Sequence, residues 1–182
     1  MADGLGAAMA DGDLRLEPLA EHHREGLREA CAEDAEIWAL YPDNYAGPDF
    51  DASFASCLGQ PRQHAFAIFN GARLAGMSSY LGSDAANHAL EIGRTYLTPS
   101  LRGTGFNRRV KRLMLDRAFG EGFTRVEFRV DTRNARSIAA LEKLGAIREG
   151  TLRKNRVTWT GYVRDTALLA ILIEDWPSLR SG

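Results

Sequence analysis

Gly103 and Gly105 sit in the stretch Leu101-Arg102-Gly103-Thr104-Gly105-Phe106-Asn107, between an expected strand and the start of an amphipathic helix. Glycines in such a turn let the backbone approach a ligand closely and take up positive φ, while the unpaired N–H groups of a first helical turn point at whatever charge lies there. The chemistry on offer is anion binding. The following residues strengthen it: Arg108, Arg109, Lys111 and Arg112 crowd the N-terminal half of the helix, with no acid before Asp116. A helix dipole favours acids there by roughly 0.3–1 kcal/mol each, and a bound polyphosphate would reverse that preference. A solvated basic face is the competing explanation of the same run.

The elements that must position this turn are legible from periodicity. Leu14 and Leu16 alternate with polar neighbours in a short strand ended by Pro18, residues 20–33 read as helix, and Asp34 caps a second helical piece with Ile37, Trp38 and Leu40, stopped by Pro42. Another helix covers 51–58. Strands at 64–69, 73–80 and 89–97, separated by Asn70-Gly71 and Gly82-Ser83-Asp84, predict an antiparallel meander. The long helix, 104–119, buries Phe106, Val110, Leu113, Met114 and Ala118, and Gly120 and Gly122 stop it. Val126, Phe128 and Val130 alternate in a strand, so the helix makes a βαβ crossover with a parallel pair. Asn134 is a good N-cap for a helix carrying Ile138, Leu141 and Leu144 inward and ending at Gly145, and strands at 146–153 and 166–173 close the chain. The expectation is an α/β (α+β) fold: a mixed, mostly antiparallel central sheet of about seven strands with helices on both faces.

The 182 residues fit a single domain at 14–182 preceded by a disordered tail at 1–13, which is Gly, Ala and Asp with two methionines and has neither the basic region nor the apolar run of a signal peptide. A net charge of −1 excludes the global basic field that draws proteins to nucleic acid or anionic lipid, so any phosphate affinity is local. No apolar run approaches the roughly 20 residues of a membrane span, and Cys31 and Cys57 lack motif spacing, which together point to a soluble, cytoplasmic protein. His22, His23, His64 and His88 form no HExxH and no Cys/His array, so no metal is expected.

A P-loop requires GxxxxGK followed by Ser or Thr, which the chain lacks. The dinucleotide fingerprint GxGxxG fails at its third glycine, where Arg108 would block close helix-to-strand packing. Arg102-x-x-Gly105-x-Asn107 instead resembles the Gln/Arg-x-x-Gly-x-Gly/Ala pyrophosphate loop of acetyl-CoA-dependent N-acetyltransferases. From about residue 91 to 153 the chain resembles the GNAT superfamily, and within it the RimJ/RimL-like branch that acetylates N-termini of ribosomal proteins. Glu91-Ile92-Gly93, the glycine loop, Asp116 to Phe119, Asn134-x-x-Ser137, Glu142-Lys143-Leu144-Gly145-Ala146 and Glu149-Gly150-x-Leu152-Arg153 fall in family order. Two departures stand out: Asn107 replaces the commoner Gly or Ala, and Leu141 falls where many members carry a general-acid tyrosine.

The resemblance implies that acetyl-CoA is the cosubstrate and that the acetyl group passes directly to a primary amine, most readily a protein or peptide N-terminal α-amine, without a covalent enzyme intermediate. It implies that backbone groups of Thr95, Tyr96 and Leu97 align the pantetheine arm and that Gly103, Thr104, Gly105, Phe106 and Asn107 hold the pyrophosphate, with Arg102, Arg108 and Arg109 neutralising charge. Asn134 is implied to bond the pantetheine amides, Ser137 the sulfur, and Glu91 to act as base directly or through water. An N-cap role for Asn134, an ordinary helix position for Ser137 and a structural carboxylate at Glu91 are the alternatives. Trp38, Tyr41, Tyr45 and Trp159 are implied as acceptor walls, and Asp43, Asp49 and Asp51 could draw a cationic acceptor. A small-molecule amine acetyltransferase and a non-catalytic acyl-CoA-binding module are the other functional readings. The resemblance also allows a homodimer.

Overall fold

Met9–Asp11 (β1) and Leu14–Pro18 (β2) form an antiparallel hairpin in which Met9 opposes Leu16, and Leu14 and Leu16 are fully buried on one face. They belong to a computed structural model that describes residues 4–181. The expected tail is thus structured from Gly4 onward; residues 1–3 of it lie outside the described residues. Its composition concealed two apolar anchors: Leu5 is fully buried and Met9 nearly so. Arg109 also grips the hairpin through Asp11 and Asp13.

Next come the helix Arg24–Ala32 (α1), a 3-10 stretch at Ala35–Leu40 and the helix Phe50–Gly59 (α2). His64–Asn70 (β3), Arg73–Asp84 (β4) and Ala89–Leu97 (β5) make the expected antiparallel meander. Phe106–Gly120 (α3) crosses to Arg125–Asp131 (β6), which pairs parallel with β5 as the crossover requires. Ala135–Leu144 (α4) leads to the hairpin Ile147–Val157 (β7) and Val163–Leu172 (β8), and Trp176–Ser181 (α5) follows. The sheet has eight strands in the order β1-β2-β3-β4-β5-β6-β8-β7, the strand beyond the expected seven being β1.

Two apolar layers flank the sheet. One joins Val110, Met114 and Ala118 of α3, Leu141 and Leu144 of α4 and Trp176 of α5. The other joins Leu27 of α1, Trp38 of the 3-10 stretch and Phe50 and Phe54 of α2. Helices therefore cover both faces. On α3 the buried stripe also takes in Lys111 and Leu115, whereas Leu113 is only half-buried. No helix among the described residues is long and apolar enough to cross a membrane.

Two local features open the centre of the sheet. β5 and β6 are in register only over Ala89–Glu91 and Arg125–Glu127, after which the strands part. Across β4, Met77 opposes Tyr96 and Ser79 opposes Gly93, so Arg94 and Thr95 together face one residue, Ser78, and Arg94 takes φ of 50°. Such a bulge bends its strand and re-aims side chains. Gly76 permits the neighbouring close approach: a Cβ there would lie 2.0 Å from the Tyr96 carbonyl oxygen.

Candidate active site

A cleft of about 470 Å³ occupies the gap where β5 and β6 separate. Of the residues singled out from sequence, Glu91, Thr95, Asn107, Asn134 and Ser137 line it, together with Tyr41 and Leu141. Distant segments meet here because the parallel crossover places the N-terminus of α3 beside the end of β5, and the following turn places the start of α4 beyond the end of β6.

The glycine turn has the geometry that its sequence suggests. Gly103 and Gly105 take φ of 77° and 85°, in the left-handed region, and a Cβ added at either would meet nothing within 4 Å. The turn therefore faces open space. Phe106 N–H bonds Thr104 Oγ1, but the N–H groups of Gly103, Thr104, Gly105 and Asn107 have no acceptor among the described residues. Behind them, Arg108 Nε and Arg112 Nε and Nη2 are buried without a hydrogen-bond partner, and so is Asn107 Oδ1. Buried polar atoms are nearly always paired, so a row of orphaned donors one helical turn from unpaired N–H groups fits a bound polyphosphate. Two of the three arginines expected to neutralise it do not: Arg102 is ion-paired with Asp34 and donates to the Leu97 carbonyl, and Arg109 is held by Asp11 and Asp13. Carboxylates far away in sequence captured both.

Of the three residues expected to align the pantetheine arm, only Thr95 lines the cleft. Its carbonyl accepts from Tyr41 Oη at 2.6 Å, and the Leu97 carbonyl is taken by Arg102. The Tyr96 side chain points to the opposite apolar layer, where its hydroxyl bonds the Ala30 carbonyl. Thr95 Oγ1 lies 2.7 Å from Ser78 Oγ and accepts from Lys111 Nζ. Lys111 is buried on α3, its ammonium 5.7 Å from the Phe128 ring centroid, and burial pushes its pKa down to about 7 against the opposing pull of Glu91. Glu91 is half-buried, 3.6 Å from Arg129 Nε, and burial raises its pKa. The basic run at the start of the helix suggests for Lys111 either a phosphate contact or a solvated face, and the structure gives it neither, burying its ammonium against Thr95 and Phe128 instead. The signal for that burial lies in the sequence: Lys111 stands three, four and seven residues before Met114, Leu115 and Ala118, which places it on the buried stripe.

Asn134 caps α4 by accepting from the Ser137 N–H at 3.1 Å, so the N-cap alternative is realised and its amide nitrogen remains available towards the cleft. The Ser137 hydroxyl has no protein partner among the described residues. Leu141 lines the cleft as an apolar wall and cannot donate a proton. Trp38 and Tyr45 are core residues, their tilted rings 5.1 Å apart at the centroids, and Trp159 bonds the Trp38 carbonyl outside the cleft; of the aromatic set only Tyr41 reaches it. Asp43 pairs with Arg94, Asp51 with Arg24 and Arg28, and Asp49 with Asn44, so these acids do not line it either.

Glu17, His22 and His23 bring possible ligand atoms within 4.8 Å of one another. His23 Nδ1, however, accepts the Ala20 N–H, which puts the ring proton on Nε2, 3.4 Å from Glu17. That nitrogen then has no lone pair for a metal.

The acetyltransferase (GNAT) domain family matches residues 13–147. A T. thermophilus protein, whose own assignment as an acetyltransferase is provisional, is 35% identical over 96% of this chain and 93% of its own, with a TM-score of 0.87. A GCN5-related N-acetyltransferase from Brucella melitensis is 27% identical over 96% and 82%, with a TM-score of 0.88. Mycobacterium smegmatis RimJ, solved with CoA-disulfide, shares the fold at 21% identity over 90% and 84%, with a TM-score of 0.77. No curated protein matches the sequence. A parted parallel pair with an open glycine turn at its mouth, in a chain whose sequence carries the family's pattern over most of its length, makes this protein a member of the GNAT acetyltransferases, which use acetyl-CoA as donor.

Proposed function

We propose that the enzyme acetylates the α-amine of a peptide N-terminus, in the manner of the RimJ/RimL-like branch. The observation that carries this reading is the charge of the cleft: five arginines, Arg62, Arg94, Arg129, Arg156 and Arg164, line it against two carboxylates, Glu91 and Asp131. A polyamine would be repelled, whereas a peptide N-terminus brings one amine and no further obligatory positive charge. The free, buried Cys31 and Cys57 support a reducing, cytoplasmic setting.

When bound, acetyl-CoA supplies an acetyl group activated as a thioester. The N–H groups of Gly103 to Asn107, with Arg108 and Arg112 behind them, hold its pyrophosphate. The Asn134 amide nitrogen bonds the pantetheine arm, and the Ser137 hydroxyl supports the departing sulfur. With Asp131 held by Arg133, Glu91 and Lys111 are the cleft's candidate proton acceptors, and Lys111 at about 7 is closer to an α-amine, ordinarily at about 7.7–8.0, than to a lysine at about 10.4. Mass spectrometry of acetyl transfer across N-terminal peptides, lysine peptides and polyamines tests the proposal. Preferential modification of α-amines is expected; faster transfer to spermidine or to lysine side chains would overturn it.

A further inference from the structure

Arg164 is a buried guanidinium that forms no ion pair among the described residues, although Asp131 and Glu91 act on it from farther away. It lies on β8, lines the cleft and is only 5% exposed, yet no carboxylate among the described residues comes within 4.0 Å of it. The carboxylate that would naturally serve, Asp131, is occupied: Arg133 grips both its oxygens at 3.0 and 2.7 Å, and the Arg133 N–H adds a third bond at 2.9 Å. Arg164 Nε donates to Thr166 Oγ1 at 3.0 Å, and that hydroxyl donates in turn to Asn155 Oδ1 at 2.6 Å. One of five donors is thereby fixed, which orients the plane, while the four N–H bonds on the Nη nitrogens have no protein acceptor among the described residues. Directly opposite on β7 stands Arg156, also lining the cleft. Like charges in cross-strand register are destabilising, and an arginine stays charged when buried. A rigidly held, desolvated cation facing a second one across a cleft is arranged for an anion.

We propose that the acceptor amine carries a carboxylate and that Arg164, with Arg156 opposite it, binds that carboxylate through its free Nη groups. The proposal rests on the reading of the cleft as the site of acetyl transfer. The cofactor's phosphates are not the intended anion, because the open glycine turn that fits them lies at the start of α3, beside the end of β5, whereas Arg164 lies on the far side of β6. The carboxylate belongs either to an acidic residue near a peptide N-terminus or to a free amino acid, and the two sources are separable by experiment.

The test compares matched acceptors with and without the charge: alanyl-aspartyl against alanyl-asparaginyl peptide amides, and free alanine against alaninamide. In the wild-type enzyme at least one carboxylate-bearing member is expected to be favoured about tenfold or more in kcat/KM, through KM, as suits a charge-assisted hydrogen bond. Arg164→Gln is expected to bring that ratio towards one and Arg164→Lys to restore part of it. Preference in the peptide pair identifies a peptide, and preference confined to alanine identifies an amino acid. Equal use of charged and neutral members, or a ratio that survives Arg164→Gln, would overturn the proposal. Binding of the N-acetylated products, read as thermal shifts, needs no turnover: a shift by the aspartyl but not the asparaginyl product is expected, and its absence is equally adverse. Acetyl-CoA is measured alongside. A wild-type enzyme that it does not stabilise defeats the acetyltransferase reading, whereas its stabilisation without any carboxylate preference defeats the anion site alone. Loss of the acetyl-CoA shift in folded Arg164→Gln would assign Arg164 to the cofactor and overturn the proposal. Should Arg164→Gln fail to fold, Arg156→Gln carries the same comparison, with a smaller fall in the ratio expected.

Discussion

Lys111 on α3 donates to Thr95 Oγ1 on β5, so an amine contributed by the helix that opens at the glycine turn hangs inside the cleft. Burial holds its pKa near 7, with Glu91 raising it from β5 and Phe128 and Arg129 flanking the space from β6. Activity is therefore expected to rise with pH through about 7 as Lys111 loses its proton. Two acceptors whose amines differ in pKa separate the contributions: the limb that stays in place belongs to the enzyme, and Lys111→Met should remove it. A limb that persists in Lys111→Met would exclude this lysine as proton acceptor.

The same group should appear in stability. A folded pKa of about 7 against an ordinary 10.5 means that the folded state holds fewer protons than the unfolded chain between those values. Lys111 therefore makes stability rise with pH from about 7 to 10.5, and below 7 its penalty is fully present. Urea midpoints of wild type minus Lys111→Met, measured from about pH 6 to 9, should increase with pH; a flat difference would show that burial does not perturb the lysine.

Gly105→Trp should abolish stabilisation by acetyl-CoA, because the turn takes φ of 85° and faces open space that the indole would fill. A ligand at 100 times its dissociation constant adds about 2.7 kcal/mol, which a thermal scan of the wild type resolves easily. A retained shift would relocate the phosphate site.

Ser137→Ala should lower kcat by roughly fivefold while acetyl-CoA binding is kept, the loss being one hydrogen bond of about 1 kcal/mol formed as the sulfur departs. Unchanged turnover would leave Ser137 as no more than the residue whose N–H the Asn134 side chain caps.

Leu5→Ala should destabilise the protein by roughly 2–3 kcal/mol, the lower part of the range for a buried leucine, since Leu5 is fully buried near the edge hairpin. Urea unfolding measures it; a cost near zero would restore the first residues to the status of a tail.

Much of the fold was legible because periodicity reports burial directly. The alternation of Val126, Phe128 and Val130, the stripe through Val110, Met114 and Ala118, and Gly145 as a left-handed stop each specify an element from neighbours within a few residues. β1 was not legible, because two apolar residues spread among Gly, Ala and Asp give no period, and what orders them is β2 and Arg109, far along the chain.

By itself the sequence determined the glycine turn and the crossover that brings it to the mouth of a parallel pair, both of which depend on local backbone preference and short-range pattern, while the donor followed from the resemblance of its motifs to the acetyltransferases. Only the tertiary structure decided which charges remain free to act. Arg102 and Arg109 look like phosphate ligands until Asp34, Asp11 and Asp13 neutralise them, while Arg164, which no motif singles out, becomes a candidate ligand only because burial takes its water away and Arg133 takes Asp131. The reason is that the pairing of Arg102 and Arg109 and the desolvation of Arg164 depend on distances in space between residues tens of positions apart, which no spacing along the chain encodes.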